Sequence, residues 1–505
     1  MKKKSPNGLF YSSLFVVGSV TFSYTSTNLA ALYILGELGG DPSTGFYTVS
    51  LFGIGNCLSV PLGLAINSRA RKARTSIICL ILFVLVAFFL GLAPNFPIYC
   101  FFRFLQGFVS GPILILIPSL FNAIATNEQR QNFSKNNTAI FITVSTLAAC
   151  LGGTIAYEWN WRWIFLIDGG IPTIASLILY TYLKNEREII QEKPFDYLGY
   201  AAYFTTILSI SLFLIWGQEL DWFTSRILIT LFITFWLSLP LLVIQLIIHP
   251  NPSLKFNFLS SKTMIIALIQ LVVLFGTYYG MLFMLSNWLY LYAAYTPYWI
   301  SLVLGSMLLS TAVVFRLAYY LQERSSPQFL ILGITCILIA SVMTMLYDVD
   351  VNLFRLSASR IITGVGLALF VPPLLFMVIN CCDDKTGIEG VAFFHIARTL
   401  GSGLGLAIIA TIWERRQAFY HLRLGSQLVP LSDPLFQFVQ RLKDSQFTPS
   451  MYKSALNFAL DREAVSLALN DCFYLIAILM GILLVLLLGL LATKKPLHET
   501  NNSLS

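Results

Sequence analysis

Charge is scarce in this chain of 505 residues: Asp, Glu, Lys and Arg make up 11% of it against 57% hydrophobic residues, and mean hydropathy is +0.75. A water-soluble globule of this length does not fit those values. Imidazole is scarcer still, with only four histidines. The eight cysteines form no CxxC unit or Cys/His pairing, and Cys57, Cys79, Cys100, Cys150 and Cys336 fall in apolar runs, where a thiol behaves as a small hydrophobe. That excludes a disulfide framework and a zinc site. There is no GxxxxGK[ST] loop for a nucleotide, no HExxH for a metal and no GxSxG elbow for a nucleophile, so the chain is read as a non-enzyme without cofactor or metal. The excess of 32 Lys+Arg over 24 Asp+Glu lies mostly between apolar runs, where it reports membrane orientation and not a nucleic-acid partner.

What the sequence has is long apolar sequence. Fourteen stretches are placed at roughly 9–34, 46–66, 76–94, 98–121, 138–157, 162–183, 197–216, 226–248, 263–285, 298–320, 328–347, 355–379, 389–413 and 471–492. About 20 helical residues cross about 30 Å of hydrocarbon, and a helix leaves no backbone group unpaired in lipid. The predicted fold class is therefore an all-α polytopic membrane protein with fourteen transmembrane helices. Met1-Lys2-Lys3-Lys4 followed by an apolar run from Leu9 could pass for a secretory signal, but the run is too long and lacks a small-residue cleavage site, so it is the first span.

With Lys2 to Lys4 placed in the cytoplasm, the basic connections fall on the same side: Arg69/Arg71/Lys72/Arg74, Arg130/Lys135, Lys184/Arg187/Lys193, Lys255/Lys262, Arg324, Lys385 and Lys494/Lys495. Both termini are predicted cytoplasmic, in the inner membrane. Residues 414–470 form a long mixed-charge connection on the outer side, read as a loop. The spans group as six, two and six: an N-terminal bundle over 1–190, two linker helices over 191–255, and a C-terminal bundle over 256–505. Repeated bundles with a path between them near the midplane are the usual build of secondary transporters.

Several strings carry a resemblance: Arg69-Ala70-Arg71-Lys72 with Arg74 after span 2; Phe102-Arg103-Phe104-Leu105-Gln106-Gly107 with Gly111-Pro112 in span 4; and Gly152-Gly153 in span 5. So do Trp161-Arg162-Trp163-Ile164-Phe165-Leu166-Ile167-Asp168, Glu219-Leu220-Asp221-Trp222-Phe223 and Ala397-Arg398-Thr399-Leu400-Gly401. In order and spacing the chain resembles the major facilitator superfamily, in its fourteen-span drug/proton antiporter branch of the EmrB/QacA type. The resemblance implies two pseudo-symmetric six-helix bundles, alternating access, and proton-driven export of amphipathic molecules, drug-like or siderophore-like. It also suggests a periplasmic adaptor partner docking on 414–470, and a latch between bundles at Arg69, Arg71, Lys72 and Arg74. The chain departs from the pattern in carrying Ser23 where the family has Asp, Ala148-Ala149 where it has Gly-Pro, and Asp168 where it has Asn. Import or facilitated passage of a small metabolite, and a non-transporting sensor on the same scaffold, stay open.

Solvation ranks the residues independently. Arg103 lies a few residues inside span 4, and a guanidinium at depth costs about 2.5 to 3.5 kcal/mol on insertion scales, so it faces the bundle interior. It is read either as a counter-charge for a substrate anion or the proton cycle, or as a clamp on helix carbonyls. Asp168, the one carboxylate placed clearly inside a span, is a candidate proton carrier; pairing with Arg162 at the outer mouth is the alternative. Ser19, Ser23 and Thr27 recur at i, i+4, and with Asn28 they form a stripe that either lines a path or packs helices. Asn56 and Gln106 extend the polar set. His395 and Arg398 share a helix face three residues apart, and an imidazole can titrate near neutral pH. Arg316 and Arg360 are read as snorkelling to an interface. The aromatic run Tyr278, Trp288, Tyr290, Tyr292, Tyr295 and Trp299 is either an interfacial belt or a stacking surface. Gly364, Gly366, Gly401, Gly403 and Gly405 allow close helix approach.

Overall fold

A computed structural model describes residues 7–69, 72–183, 195–249, 252, 254, 261–321, 326–382, 387–428, 433–444 and 448–493. The first six helices are α1 (Asn7–Leu38), α2 (Tyr47–Arg69), α3 (Lys72–Gly91), α4 (Phe96–Ile124), α5 (Asn127–Glu158) and α6 (Arg162–Leu183). Two more follow, α7 (Tyr197–Trp216) and α8 (Arg226–Ile248). The second half contains α9 (Lys262–Leu291), α10 (Pro297–Leu321), α11 (Ser326–Thr344), α12 (Leu353–Ile379), α13 (Gly387–Leu400), α14 (Leu406–Ser426), α15 (Asp433–Asp444) and α16 (Pro449–Thr493).

Local chemistry sets several starts. Asn95 and Asn352 cap α4 and α12, their side-chain oxygens accepting from Ile98 N and Arg355 N at 3.0 and 2.9 Å. Thr126 and Gln129 form a reciprocal capping box at α5. Pro112, Pro118, Pro172, Pro372 and Pro373 lie inside helices, tolerated because neighbouring helices enclose the freed carbonyls.

Thirteen helical segments among the described residues are long and apolar enough to cross a membrane. The fourteenth crossing expected from the sequence, α1, is not among them, because it carries eight Ser/Thr residues and Asn28. All nine are buried in the protein, so the polarity of α1 is spent inside the bundle and not on lipid. The chain is a multi-pass membrane protein with two six-helix bundles. In the first, α1 packs on α4, α5 and α6, α2 on α4, and α3 on α4 and α6; in the second, α12 packs on α10 and α11, α16 on α11 and α14, and α9 on α13, α14 and α16. The linker helix α7 lies on α2 and α8.

The connection 414–470 differs from the loop expected. A π turn, Gly401–Gly405, joins α13 and α14 into one rod, Gly387–Ser426, of 40 residues, and α16 has 45. At 1.5 Å per residue both are about 60 Å or longer, twice the hydrocarbon thickness. They continue as a helical hairpin fastened by Arg416 to Asp471 and by His421 Nδ1 to Asp461 Oδ1 at 2.7 Å. Part of the mixed charge of this stretch is spent on such pairs, Arg462 with Asp350 being a third. The aromatic run is also only partly an interfacial belt: Trp288 is fully buried and donates to Ser466 Oγ at 2.8 Å, whereas Trp299 is exposed.

Glycine lets α1 and α5 approach backbone to backbone, since a Cβ on Gly152 would overlap the Ser26 carbonyl oxygen. Gly152→Val is expected to destabilise the bundle by about 1–3 kcal/mol, as overpacked cores do, and to lower the thermal-unfolding midpoint in detergent. Gly170→Ala, where a Cβ meets nothing within 4 Å, should leave the midpoint unchanged or raise it slightly.

Candidate transport site at the bundle seam

Arg103 lies in α4, entirely removed from solvent, and all five of its N–H donors are used. Nε donates to Thr48 O at 2.8 Å, Nη1 to Gln106 Oε1 at 2.5 Å and Ser23 Oγ at 3.3 Å, and Nη2 to Ser23 O at 2.7 Å and Thr27 Oγ1 at 2.8 Å. The guanidinium also lies 4.8 Å from the Phe52 ring centroid and 5.8 Å from that of Phe165. Ser23 and Thr27 of the α1 stripe are thus acceptors for this arginine, whereas Ser19 Oγ is buried without a partner, and the acceptors tie α1, α2 and α4 together. Only the carbonyls of Ser23 and Thr48 escaped sequence reasoning, because backbone acceptors leave no residue-type signal.

Asp168 enters the same cavity from α6. It is fully buried, within Coulombic range of Arg103 and beside Ser23 and Gln106, yet neither carboxylate oxygen has a hydrogen-bond partner of good geometry. The alternative partner, Arg162, is occupied elsewhere: it pairs with Glu37 at the end of α1, whose other oxygen accepts from Trp161 Nε1 at 2.5 Å.

The second bundle repeats the arginine. The capping residue, the arginine and the glycine of α4, Asn95, Arg103 and Gly107, recur at identical spacing in α12 as Asn352, Arg360 and Gly364. Arg360 is fully buried, which corrects the reading that it snorkels to an interface. Its Nη1 donates to Met281 Sδ at 2.5 Å, Nη2 to Thr344 Oγ1 at 2.5 Å and Nε to Ser359 Oγ at 3.2 Å. Phe473 of α16 faces it at 5.7 Å as Phe165 of α6 faces Arg103. Three residues beyond these rings stand Asp168 in α6 and Ile476 in α16. Among the described residues, only the first bundle places a carboxylate with its arginine.

Between the bundles runs a seam of hydroxyls and rings. Tyr24 hydrogen-bonds Ser402; Thr25 Oγ1 meets Tyr279 OH at 3.0 Å and Ser145 Oγ at 3.2 Å; Ser50 Oγ donates to Gly403 O at 3.0 Å. Nearer the distal face, where α1 ends and α4 begins, Thr154 Oγ1 meets Ser301 Oγ at 2.7 Å, and Ser301 Oγ is 2.7 Å from Cys150 O. On the opposite, proximal face, where Asn7 and Thr493 lie, a cleft of about 680 Å³ opens between α1 and α5, lined by Phe10, Leu14, Phe15, Gln129, Asn132 and Asn136 among others.

Arg398 of α13 sits at mid-seam, 3% exposed, its guanidinium 4.8 Å from the Phe141 centroid and 5.6 Å from that of Tyr24. Nε has no hydrogen-bond partner, nor has His395 Nδ1 one turn earlier or either side-chain amide atom of Asn28. Asn56 Nδ2 donates to Ser110 Oγ at 2.6 Å, behind the Arg103 cage, and not into the seam. Gly107, Gly111, Gly152 and Gly153 serve close packing, and Pro112 fits against Gly63. Of the basic run, Arg69 ends α2, Lys72 and Arg74 open α3, and Arg71 lies outside the described residues.

The profile of the Major Facilitator Superfamily matches residues 13–406. The fatty acid resistance protein FarB of Neisseria gonorrhoeae is 26% identical over 483 residues, 94% of this chain and 93% of that one. The multidrug export protein EmrB of Escherichia coli is 24% identical over 480 residues, covering 94% and 92%. A bacterial homologue of the human lysosomal transporter Spinster, solved inward-facing and unoccupied, superposes with a TM-score of 0.62 at 11% identity over 97% of this chain and 99% of that one. A profile match across most of the chain, on a fold of two six-helix bundles, means that the protein belongs to the Major Facilitator Superfamily.

Proposed function

We propose that this protein exports amphipathic small molecules from the inner membrane by alternating access, exchanging them for protons, with both termini cytoplasmic. The observation that carries the reading is the enclosed pair of Asp168 and Arg103, a carboxylate whose oxygens have no hydrogen-bond partner beside a guanidinium whose donors are all engaged. A proton on Asp168 removes the counter-charge of a cation that holds α1, α2 and α4, and so changes the electrostatic balance of the first bundle alone. Arg360, without an acid beside it, is a fixed charge through the cycle.

The bundles touch on both faces, Thr154 against Ser301 distally and Val60 and Ile115 against Ala392 proximally, so the reading of export from the cytoplasmic face rests on the family and not on an open seam. The printed names of the relatives, resistance and export proteins, support the same direction. The hairpin of α14 and α16 stands clear of the bilayer on the distal side and supplies a rigid docking face for a periplasmic adaptor.

The test is counterflow in proteoliposomes with and without a pH gradient. Asp168→Asn is expected to exchange substrate at equilibrium while losing acceleration by acid on the distal side; gradient-driven flux that survives in it removes Asp168 as the carrier. Arg103→Ala should lower both modes by more than about tenfold, because breaking a buried charge network costs about 3–5 kcal/mol. Arg103→Lys, which keeps the charge but loses the fork, should restore only part of the flux.

A further inference from the structure

Arg103 and Arg398 are both buried arginines, but they differ in what satisfies them. The first donates five hydrogen bonds, whereas the guanidinium of the second touches only two ring faces, with Nε enclosed and unpartnered. Its ionisable neighbours are Tyr24, Tyr279 and His395, and no carboxylate faces it among the described residues. A buried cation without an acceptor is costly unless an anion completes it. More orphaned polar atoms converge on the same seam: both amide atoms of Asn28, one turn along α1 from Tyr24 and on its face, and His395 Nδ1, one turn before Arg398 on α13. Directly after Arg398 the helix widens into the π turn Gly401–Gly405, a distortion that recurs at functional sites.

The ring over Arg398 and the proximal cleft share helix α5: Phe141, which covers the guanidinium, follows Ile140, which lines the cleft. One wall of the cleft is apolar, from Phe10, Leu14 and Phe15 of α1; the other carries the amides Gln129, Asn132 and Asn136 of α5. Leu14 to Tyr24 is ten residues of helix, about 15 Å. That distance separates the apolar wall from the cation, and it matches a molecule with an anionic head and an extended apolar body.

We propose that Arg398 is the head-group site for amphipathic anions, carboxylates and sulfonates, whose apolar tail lies in the cleft between α1 and α5. The inference rests on the export reading and names its substrate class. The anion enters with the tail against Leu14 and Phe15, displaces the Tyr24 and Phe141 rings from the guanidinium, and accepts from Arg398 and from the Asn28 amide. Because Tyr24 also holds Ser402 across the seam, occupancy at Arg398 loosens a contact between the bundles.

The experiment is equilibrium binding of four probes with one common tail, dodecanoate, dodecylsulfonate, dodecanol and dodecyltrimethylammonium, to protein in nanodiscs without any gradient. Wild type is expected to bind the two anions at least tenfold tighter than the alcohol or the cation. Arg398→Gln should erase that preference while leaving dodecanol binding unchanged, and Arg398→Lys should keep part of it. Leu14→Trp, which fills the cleft, should weaken dodecanoate but not hexanoate. Absence of head-group preference in wild type, or a preference that persists in Arg398→Gln, overturns the proposal. If Arg398→Gln proves unstable, the wild-type preference and its partial retention in Arg398→Lys decide the matter. Anion binding through Arg398 with no flux in proteoliposomes refutes export and leaves the site standing; flux of amphiphiles without head-group preference does the reverse.

Discussion

A charge in hydrocarbon must be completed by something other than water, and the architecture is arranged around that requirement. Arg103 meets it within one bundle, drawing acceptors from three helices, and in doing so fixes the positions of α1, α2 and α4. Arg360 meets it less fully, with a thioether, two hydroxyls and a ring. Among the described residues Arg398 is faced by two rings, and its Nε has no hydrogen-bond partner. Among the described residues, acceptors hold one arginine in each bundle and leave Nε of the seam arginine unpaired.

A capping asparagine, an arginine and a close-packing glycine stand at matching spacing in α4 and α12, so each bundle carries a buried cation. At the register three residues past the facing ring the two bundles differ, with Asp168 in one and Ile476 in the other. Under the proposed exchange, protonation of Asp168 acts on the first half of a pseudo-symmetric scaffold.

The number and placement of the crossings were legible in the sequence because twenty apolar residues in a row admit few other outcomes. Even α1, the least apolar, was legible by its position, and Ser23 and Thr27 of its stripe proved to hold Arg103. Arg103, Gln106, Ser23, Thr27 and Asp168 do come together. What the sequence could not show was where each polar group finds its partner: backbone carbonyls carry no signal, so the saturation of Arg103 was hidden, and Arg360 resembled an interfacial residue although it lies eight residues into its helix. The 414–470 stretch was misjudged for a related reason, since charge reads as solvent exposure whether the exposed backbone is helix or loop. Asn28 and Asn56 were alike in composition, but packing left the amide of one without a partner and gave the other Ser110.

The two long rods give the second bundle a mechanical character that the first lacks. Because α16 runs unbroken over 45 residues from one face of the membrane to the tip of the hairpin, any tilt of that bundle is carried outward as the swing of a stiff lever. The π turn interrupts the companion rod at mid-depth, where a helix yields most easily. One arm therefore transmits motion while the other flexes, and the conformational cycle inside the bilayer becomes a displacement readable beyond it.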